Sequence, residues 1–274
     1  MTAVPARRHA GWILLADPRP WDDRPAAVSS ALPLAVRAAA GHRGLRLQLI
    51  RRPRHDPGGD GLTCILVSAN GTRPVIEQGL LPDTAAVLDL DLDGLRAGRR
   101  TGFGSVVTGP VFLVCTQERP NATCADAGHP VAAALTAAGA EVWETSHLGG
   151  CRLAANVVSL PDGLCYGCVT PDDATDLVTA TGEGRIVEPL LRGRYGQPQP
   201  VQAAEKRLRD ELCLTGVDDV VVAEHWRLPG GRIKILFTVR GEARWMVVPR
   251  QPALAGPALT GRTMSGRAFS GRAR

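Results

Sequence analysis

Residues 111–169 read VFLVCTQERPNATCADAGHPVAAALTAAGAEVWETSHLGGCRLAANVVSLPDGLCYGCV, and the order of patterns in this stretch decides the fold. Val111-Phe112-Leu113-Val114-Cys115 is an unbroken apolar run of strand length, as expected of a strand covered on both faces. Pro130 to Ala138 is Ala-rich, opens on proline and stops at Gly139, which predicts a compact helix. Glu141-Val142-Trp143 gives a second short strand. Asn156 to Leu160, the turn Pro161-Asp162-Gly163 and Leu164 to Val169 then make a hairpin. Thr170-Pro171-Asp172-Asp173 opens another helix, with Thr170 as cap, proline at the first position and acids in the first turn.

The same order occurs earlier in the chain. Residues 12–16 are a short apolar run, Ala26 to Ala40 carries Ala and Leu at helical spacing, and Leu45 to Ile50 alternates apolar with polar. Cys64 to Ser68, Asn70-Gly71 and Pro74-Val75-Ile76 form a hairpin signal, because Asn-Gly tolerates the left-handed backbone of a tight turn. Ala85 to Leu95 closes this half. Strand, helix, strand, hairpin, helix is the order of a thioredoxin-like layer, so the expectation is an α/β protein with two tandem thioredoxin-like units, at 1–108 and 109–192. One larger α/β sheet is the alternative. Arg192 to Pro200 reads as a linker by composition. Val201, Ala204, Leu208 and Leu212 mark one helix face, and strand-like runs follow at Val220 to Trp226, Ile233 to Val239 and Trp245 to Val248. These predict a small α+β subdomain over 193–250, followed by a basic, flexible tail over 251–274.

With 274 residues, 44% hydrophobic and 22% charged, the chain has ample material for a core. The formal charge is +5, but Arg262, Arg267, Arg272 and Arg274 supply four of those charges and no acid lies beyond Glu242. With Lys206 and Lys234 the only lysines and the arginines scattered, there is no basic stripe for nucleic acid. No apolar run approaches the ~18 residues of a membrane helix, so no membrane partner is expected. Arg7-Arg8 before the apolar run is too weak for an export signal. A cytoplasmic protein is therefore expected, with its seven cysteines as thiols or metal ligands rather than disulfides.

Four of the soft or borderline ligands sit at the loops of the second unit. Cys115 ends its first strand and Cys124 lies in the loop before its helix, while His147 and Cys151 flank Leu148-Gly149-Gly150. Three thiolates and one imidazole suit zinc or an iron–sulfur cluster. The C-x8-C spacing is longer than the usual zinc knuckle and favours the cluster; zinc and unconnected core cysteines remain alternatives.

These residues carry a resemblance. Val114-Cys115-Thr116, the run Trp143 to Ala154 with its H-x-G-G motif, Asn156 to Gly163 and Tyr166-Gly167 resemble the sucrase/ferredoxin-like family, the thioredoxin-like [2Fe–2S] ferredoxins. Asp17-Pro18-Arg19-Pro20-Trp21 and Val201-Gln202-Ala203-Ala204-Glu205 extend the likeness across most of residues 10–225. The resemblance implies that Cys115, Cys124, His147 and Cys151 hold a [2Fe–2S] cluster carrying single electrons between a redox donor, such as a flavin reductase, and an acceptor. Some relatives have H-x-G-G-H; here Cys151 takes the last place. A zinc-stabilised binding module and a cluster-based redox or iron sensor are the other readings. The N-terminal unit, with only Cys64, is expected to hold no cluster.

Other signals are weaker. Cys165 and Cys168 form a C-x2-C within a strand, where residues three apart face opposite ways. Cys64 and Cys213 read as core residues. Asp89 to Gly94 imitates a calcium loop, but Arg100 stands where a bidentate Glu is needed. Asn70 and Asn121 lie in N-x-T sequons, which carry no meaning in the cytoplasm. Glu141 and Glu144 lie near the cluster loop without a cleft between them, so an electron carrier is expected rather than a sugar hydrolase.

Overall fold

The apolar run after Ala10 forms β1 (Gly11–Ala16), and Ile13, Leu14 and Leu15 within it are fully buried. In the computed structural model, residues 10–249 are described, apart from 18, 20, 22–25, 27–28, 54–61, 69–73, 119–122 and 196. After β1 come α1 (Leu34–His42), β2 (Leu45–Arg51), β3 (Leu62–Ser68) and β4 (Ile76–Leu81). A 3₁₀ turn (Ala85–Asp89), α2 (Leu92–Arg96) and the two-residue β5 (Ser105–Val106) lead into the second half. There β6 (Val111–Cys115), α3 (Thr123–Ala137), β7 (Glu141–Thr145), β8 (Val157–Leu160), β9 (Leu164–Tyr166), α4 (Ala174–Gly182) and β10 (Leu191–Arg194) follow in turn.

These ten strands make one mixed sheet in the order β10-β9-β8-β6-β7-β2-β1-β3-β4-β5. Within it a pattern repeats. β1 is parallel to β2 and antiparallel to β3, which pairs with β4. In the same way β6 is parallel to β7 and antiparallel to β8, which pairs with β9. The two sets meet antiparallel at β2 and β7, through Ile50 opposite Thr145 and Arg51 opposite Glu144. One apolar cluster spans that seam, joining Trp12, Leu14 and Ile50 to Leu113, Trp143 and Leu148. The opposite face packs Ile13 and Leu15 with Val36 in one half, and Phe112 and Val114 with Val131 and Leu135 in the other. Each such side chain contributes about 1.5–3 kcal/mol when fully buried.

α5 (Gln199–Leu212) lies against a separate three-stranded sheet of β11 (Val220–Leu228), β12 (Arg232–Val239) and β13 (Glu242–Pro249). β12 alternates cleanly, with Ile233, Ile235, Phe237 and Val239 buried with Val201, Ala204 and Leu208 of α5. Leu212, expected on that helix face, is instead exposed at its last turn.

Several boundaries differ from the sequence expectation. The first helix starts at Leu34, directly after Pro33, rather than at Ala26. α3 begins at Thr123 and carries Pro130 inside it, because the buried face Cys124, Gly128, Val131 and Leu135 outweighs the hydrogen bond an interior proline removes. Ala85 to Leu95 divides into a 3₁₀ turn and α2, where Asp91 accepts from the Gly94 amide as a helix cap rather than as part of a calcium loop. The supposed linker from Arg192 contains β10, which pairs antiparallel with β9. No helix among the described residues is long and apolar enough to cross a membrane. The hairpin tip at Asn70-Gly71, Asn121, and the basic tail 251–274 lie outside the described residues.

Candidate metal centre

β6 delivers Cys115 to the end of the sheet beside the seam, and α3 brings Cys124 to it from the first helical turn rather than from a loop. Gly128 makes this possible. A Cβ there would lie 2.2 Å from the Cys115 carbonyl oxygen, so only glycine lets α3 close on the end of β6. Both cysteines are buried.

β7 runs level with β6, with Thr145 opposite Cys115, and the chain leaves it through Ser146 and His147. Gln48 on β2 donates to Thr145 Oγ1 at 3.0 Å and to the Ser146 carbonyl at 2.6 Å. The Ser146 and Leu49 backbones are also joined, through Ser146 N to Leu49 O and Leu49 N to Ser146 Oγ. The His147 amide donates to Gln117 Oε1 at 3.2 Å, and Tyr195 Oη donates to the Leu148 carbonyl at 3.2 Å. At Gly150 the backbone turns left-handed, φ 81°, and a side chain would collide with the Arg192 guanidinium 2.6 Å away. A 3₁₀ turn (Cys151–Leu153) then presents Cys151.

One ligand atom each from Cys115, Cys124 and His147 lie within 4.8 Å of one another. Cys151 Sγ adjoins this group 3.6 Å from His147 Nδ1. The structure thus brings together three of the four residues singled out in the sequence and sets Cys151 beside His147. His147 and Cys151 are half-buried, so the centre opens to solvent on their side.

The electrostatics favour a thiolate here. The Cys115 thiol is held well below its ordinary value, first by the hydrogen bond from Cys124, then by those from His147 and the Leu148 and Gln117 amides, against the opposing effect of burial. Cys124, as the donor in that pair, is pushed up, with burial and the neighbouring Cys151 adding to the effect. A metal bound between these sulfurs would take the place of the shared proton.

The remaining cysteines stand apart. Cys165 faces the seam cluster and is pushed up to about 12 by burial, while Cys168 is exposed beyond the end of β9, so the C-x2-C is split. Cys64 lies in the N-terminal core and is likewise pushed up to about 12. Cys213 is not a core residue: it caps α5 in a left-handed conformation and is exposed. Glu144 is buried and accepts from Arg51 Nε at 2.8 Å and Thr116 Oγ1 at 3.1 Å, with His129 Nδ1 2.9 Å away. Glu141, on β7 with Glu144, pairs with Arg52, so both carboxylates are held by arginines. Gln48, Gln117 and Tyr195, together with Arg192 and with Arg46, whose Nη2 donates to the His147 carbonyl, are scattered along the chain and share no motif that would mark them in the sequence.

A family model described as sucrase/ferredoxin-like matches residues 54–193. Among curated proteins none matches. Among solved structures, a thioredoxin-like [2Fe–2S] ferredoxin from Aquifex aeolicus is 24% identical over 34% of this chain and 97% of its own, with a TM-score of 0.31. A wild-type crystal structure of the thioredoxin-like ferredoxin from that organism is 23% identical over 32% of this chain and 100% of its own, with a TM-score of 0.30.

Proposed function

The chain belongs to the sucrase/ferredoxin-like family, and from that membership we propose that it is a one-electron carrier with a [2Fe–2S] cluster held by Cys115, Cys124, His147 and Cys151. The observation that carries this reading is the convergence of three ligand atoms within 4.8 Å from β6, α3 and the loop after β7, with Cys151 alongside. Three sulfurs and an imidazole fit the group. A [2Fe–2S] cluster, when bound, supplies reversible one-electron chemistry. The protein's part is to keep the donors deprotonated and fixed. The amides of Leu148 and Gln117 aim at the Cys115 sulfur, Gln48 and Tyr195 hold the carbonyls on either side of His147, and the buried wall of Leu113, Trp143 and Leu148 keeps water from the inner side. The half-buried His147 and Cys151 leave the outer side as the approach for a redox donor and acceptor.

We read the two halves of the sheet as tandem thioredoxin-like units, the first without a cluster, with α5 to β13 as a small C-terminal subdomain. The repeated strand order supports the first part of this reading, and the separate core around Ile235 and Phe237 supports the second.

The test is the visible spectrum of anaerobically purified protein, with iron and acid-labile sulfide measured on the same sample. The expected result is about two irons and two sulfides per chain with charge-transfer bands. Zinc without sulfide overturns the carrier in favour of a structural metal module. Reduction by a flavin reductase and reoxidation by an added acceptor then test the carrier role itself.

A further inference from the structure

The loop that presents His147 and Cys151 is gripped near both ends by side chains that offer no metal ligand. At one end Arg46 Nη2 donates to the His147 carbonyl at 2.5 Å, and the same guanidinium lies 5.5 Å from the Trp12 ring centroid and 5.9 Å from that of Tyr195. At the other, Asn156 Nδ2 donates to the Gly150 carbonyl at 3.1 Å. The Asn156 amide is itself oriented by Arg192, whose Nη1 donates to Asn156 Oδ1 at 2.5 Å. Arg192 is 8% exposed, and its side chain occupies the space that a Cβ at Gly150 or at Gly167 would need.

We propose that Arg46 and Arg192 are positioning residues of the donor loop, fixing it at His147 and at Gly150 and setting two permanent positive charges beside it. At the half-buried Arg46 position a lysine would keep the charge but hold the loop poorly. A guanidinium stays charged when buried, lies flat on aromatic rings and donates in a fixed plane, whereas an ammonium is a strongly hydrated point charge. The charge part of the proposal rests on the carrier reading above. An added electron makes the centre more negative, and a fixed positive charge in a partly buried site, little screened by salt, favours that reduced form.

Two measurements test the two parts separately. In the metal-free protein, hydrogen exchange is read at the amides of His147, Leu153 and Ala154, which bond to Gln117, Gly150 and Cys151. Arg46→Gln and Arg192→Gln are each expected to speed exchange there about tenfold while Leu113 and Val142 stay unchanged. No acceleration, or equal acceleration in the strands, overturns the positioning role. Arg46 is half-buried, so its variant carries this test if Arg192→Gln does not fold.

In the iron-loaded full chain, one-electron titration against a soluble mediator reads the charge. Arg46→Gln is expected to lower the reduced-to-oxidised ratio at a fixed potential about tenfold, equivalent to about 59 mV, and Arg46→Lys to recover most of that loss. A Gln variant within about twofold of the parent, or a Lys variant that recovers nothing, overturns the charge role. Absence of iron and sulfide from the unsubstituted protein removes the carrier reading and the charge role together, and the exchange result still decides the positioning role.

Discussion

Arg209 donates to one oxygen of Glu205 through both Nη2 and Nε, at 2.9 and 3.0 Å, one turn apart on α5. Arg209 is fully buried and also donates to the carbonyls of Gly216, Val217 and Val220, so it ties α5 to the start of β11. Gln202, one turn before Glu205, donates to the Gln197 carbonyl. The Val201-Gln202-Ala203-Ala204-Glu205 signature is therefore explained by packing rather than by chemistry at the metal centre.

Replacing Arg209 by Met leaves Glu205 buried with its main partner gone. The expected loss is about 3–5 kcal/mol in urea unfolding, the range for breaking a buried pair from one side. Iron content per folded chain is expected to stay the same. A loss below about 1 kcal/mol would place the pair with exposed bridges of little worth.

Cys64 and Cys165 predict an alkaline limb of stability. Burial pushes both thiols up to about 12, whereas an unfolded thiol titrates near its ordinary value of 9.0. Between these values the unfolded chain has lost a proton that the native chain retains. The stabilisation is complete below pH ~9 and declines as pH rises toward ~12, by about 1.4 kcal/mol per pH unit for each thiol. Urea unfolding of Cys64→Ala at pH 8 and at pH 10.5 checks this. The gap between variant and parent is expected to narrow by about 2 kcal/mol, and a constant gap counts against it.

Gly150→Ala puts a Cβ 2.6 Å from the Arg192 guanidinium on a backbone at φ 81°. The left-handed backbone costs about 1–3 kcal/mol for a non-glycine residue, before any displacement of Arg192 is counted. Because Gly150 leads directly into Cys151, the loss is expected in metal retention ahead of global stability. Iron per chain after dialysis against a chelator should fall well below the parent, while the thermal midpoint of the metal-free protein drops by only a few degrees. Full retention of iron would show that the loop tolerates the shift.

How far the sequence could be read depends on where each kind of signal lives. The strands of the large sheet were legible because their apolar runs are continuous, as Val111–Cys115 shows. The grouping of Cys115, Cys124 and His147, with Cys151 beside it, was legible because the C-x8-C and H-x3-C spacings put sulfur and imidazole at the ends of neighbouring elements. The residues that hold them were not. Arg46 and Gln48 occupy the polar positions of an alternating strand, a pattern that reads as a solvent-facing edge. In the folded chain Gln48 is 2% exposed, since the β2–β7 seam turns that face toward Ser146 and His147, which lie about a hundred residues away in the chain. Pro130 usually opens a helix, so the sequence predicts a shorter α3, and only the tertiary contact of Gly128 with β6 carries the helix back to Cys124. Pairing of distant segments, rather than local preference, set the parts that could not be read.

Cys151 stands in the last place of the H-x-G-G-C run, where a histidine would change the charge of the donor set. With the proposed [2Fe–2S] core of about +2, three thiolates would leave the oxidised centre near −1, a fourth thiolate would make it about −2, and two histidines would bring it to about 0. Cys151→His should therefore raise the reduction potential and His147→Cys lower it, each by on the order of 100 mV, with the parent between plant-type and Rieske values. The grip on the loop acts through the backbone carbonyls of His147 and Gly150, which both substitutions leave in place, so charge is the main variable between them. Spectroelectrochemical titration of the three proteins at one pH gives the order directly. If Cys151→His falls below the parent, donor charge does not set the potential here, and the hydrogen bonds from Leu148 and Gln117 to the Cys115 sulfur become the controlling feature.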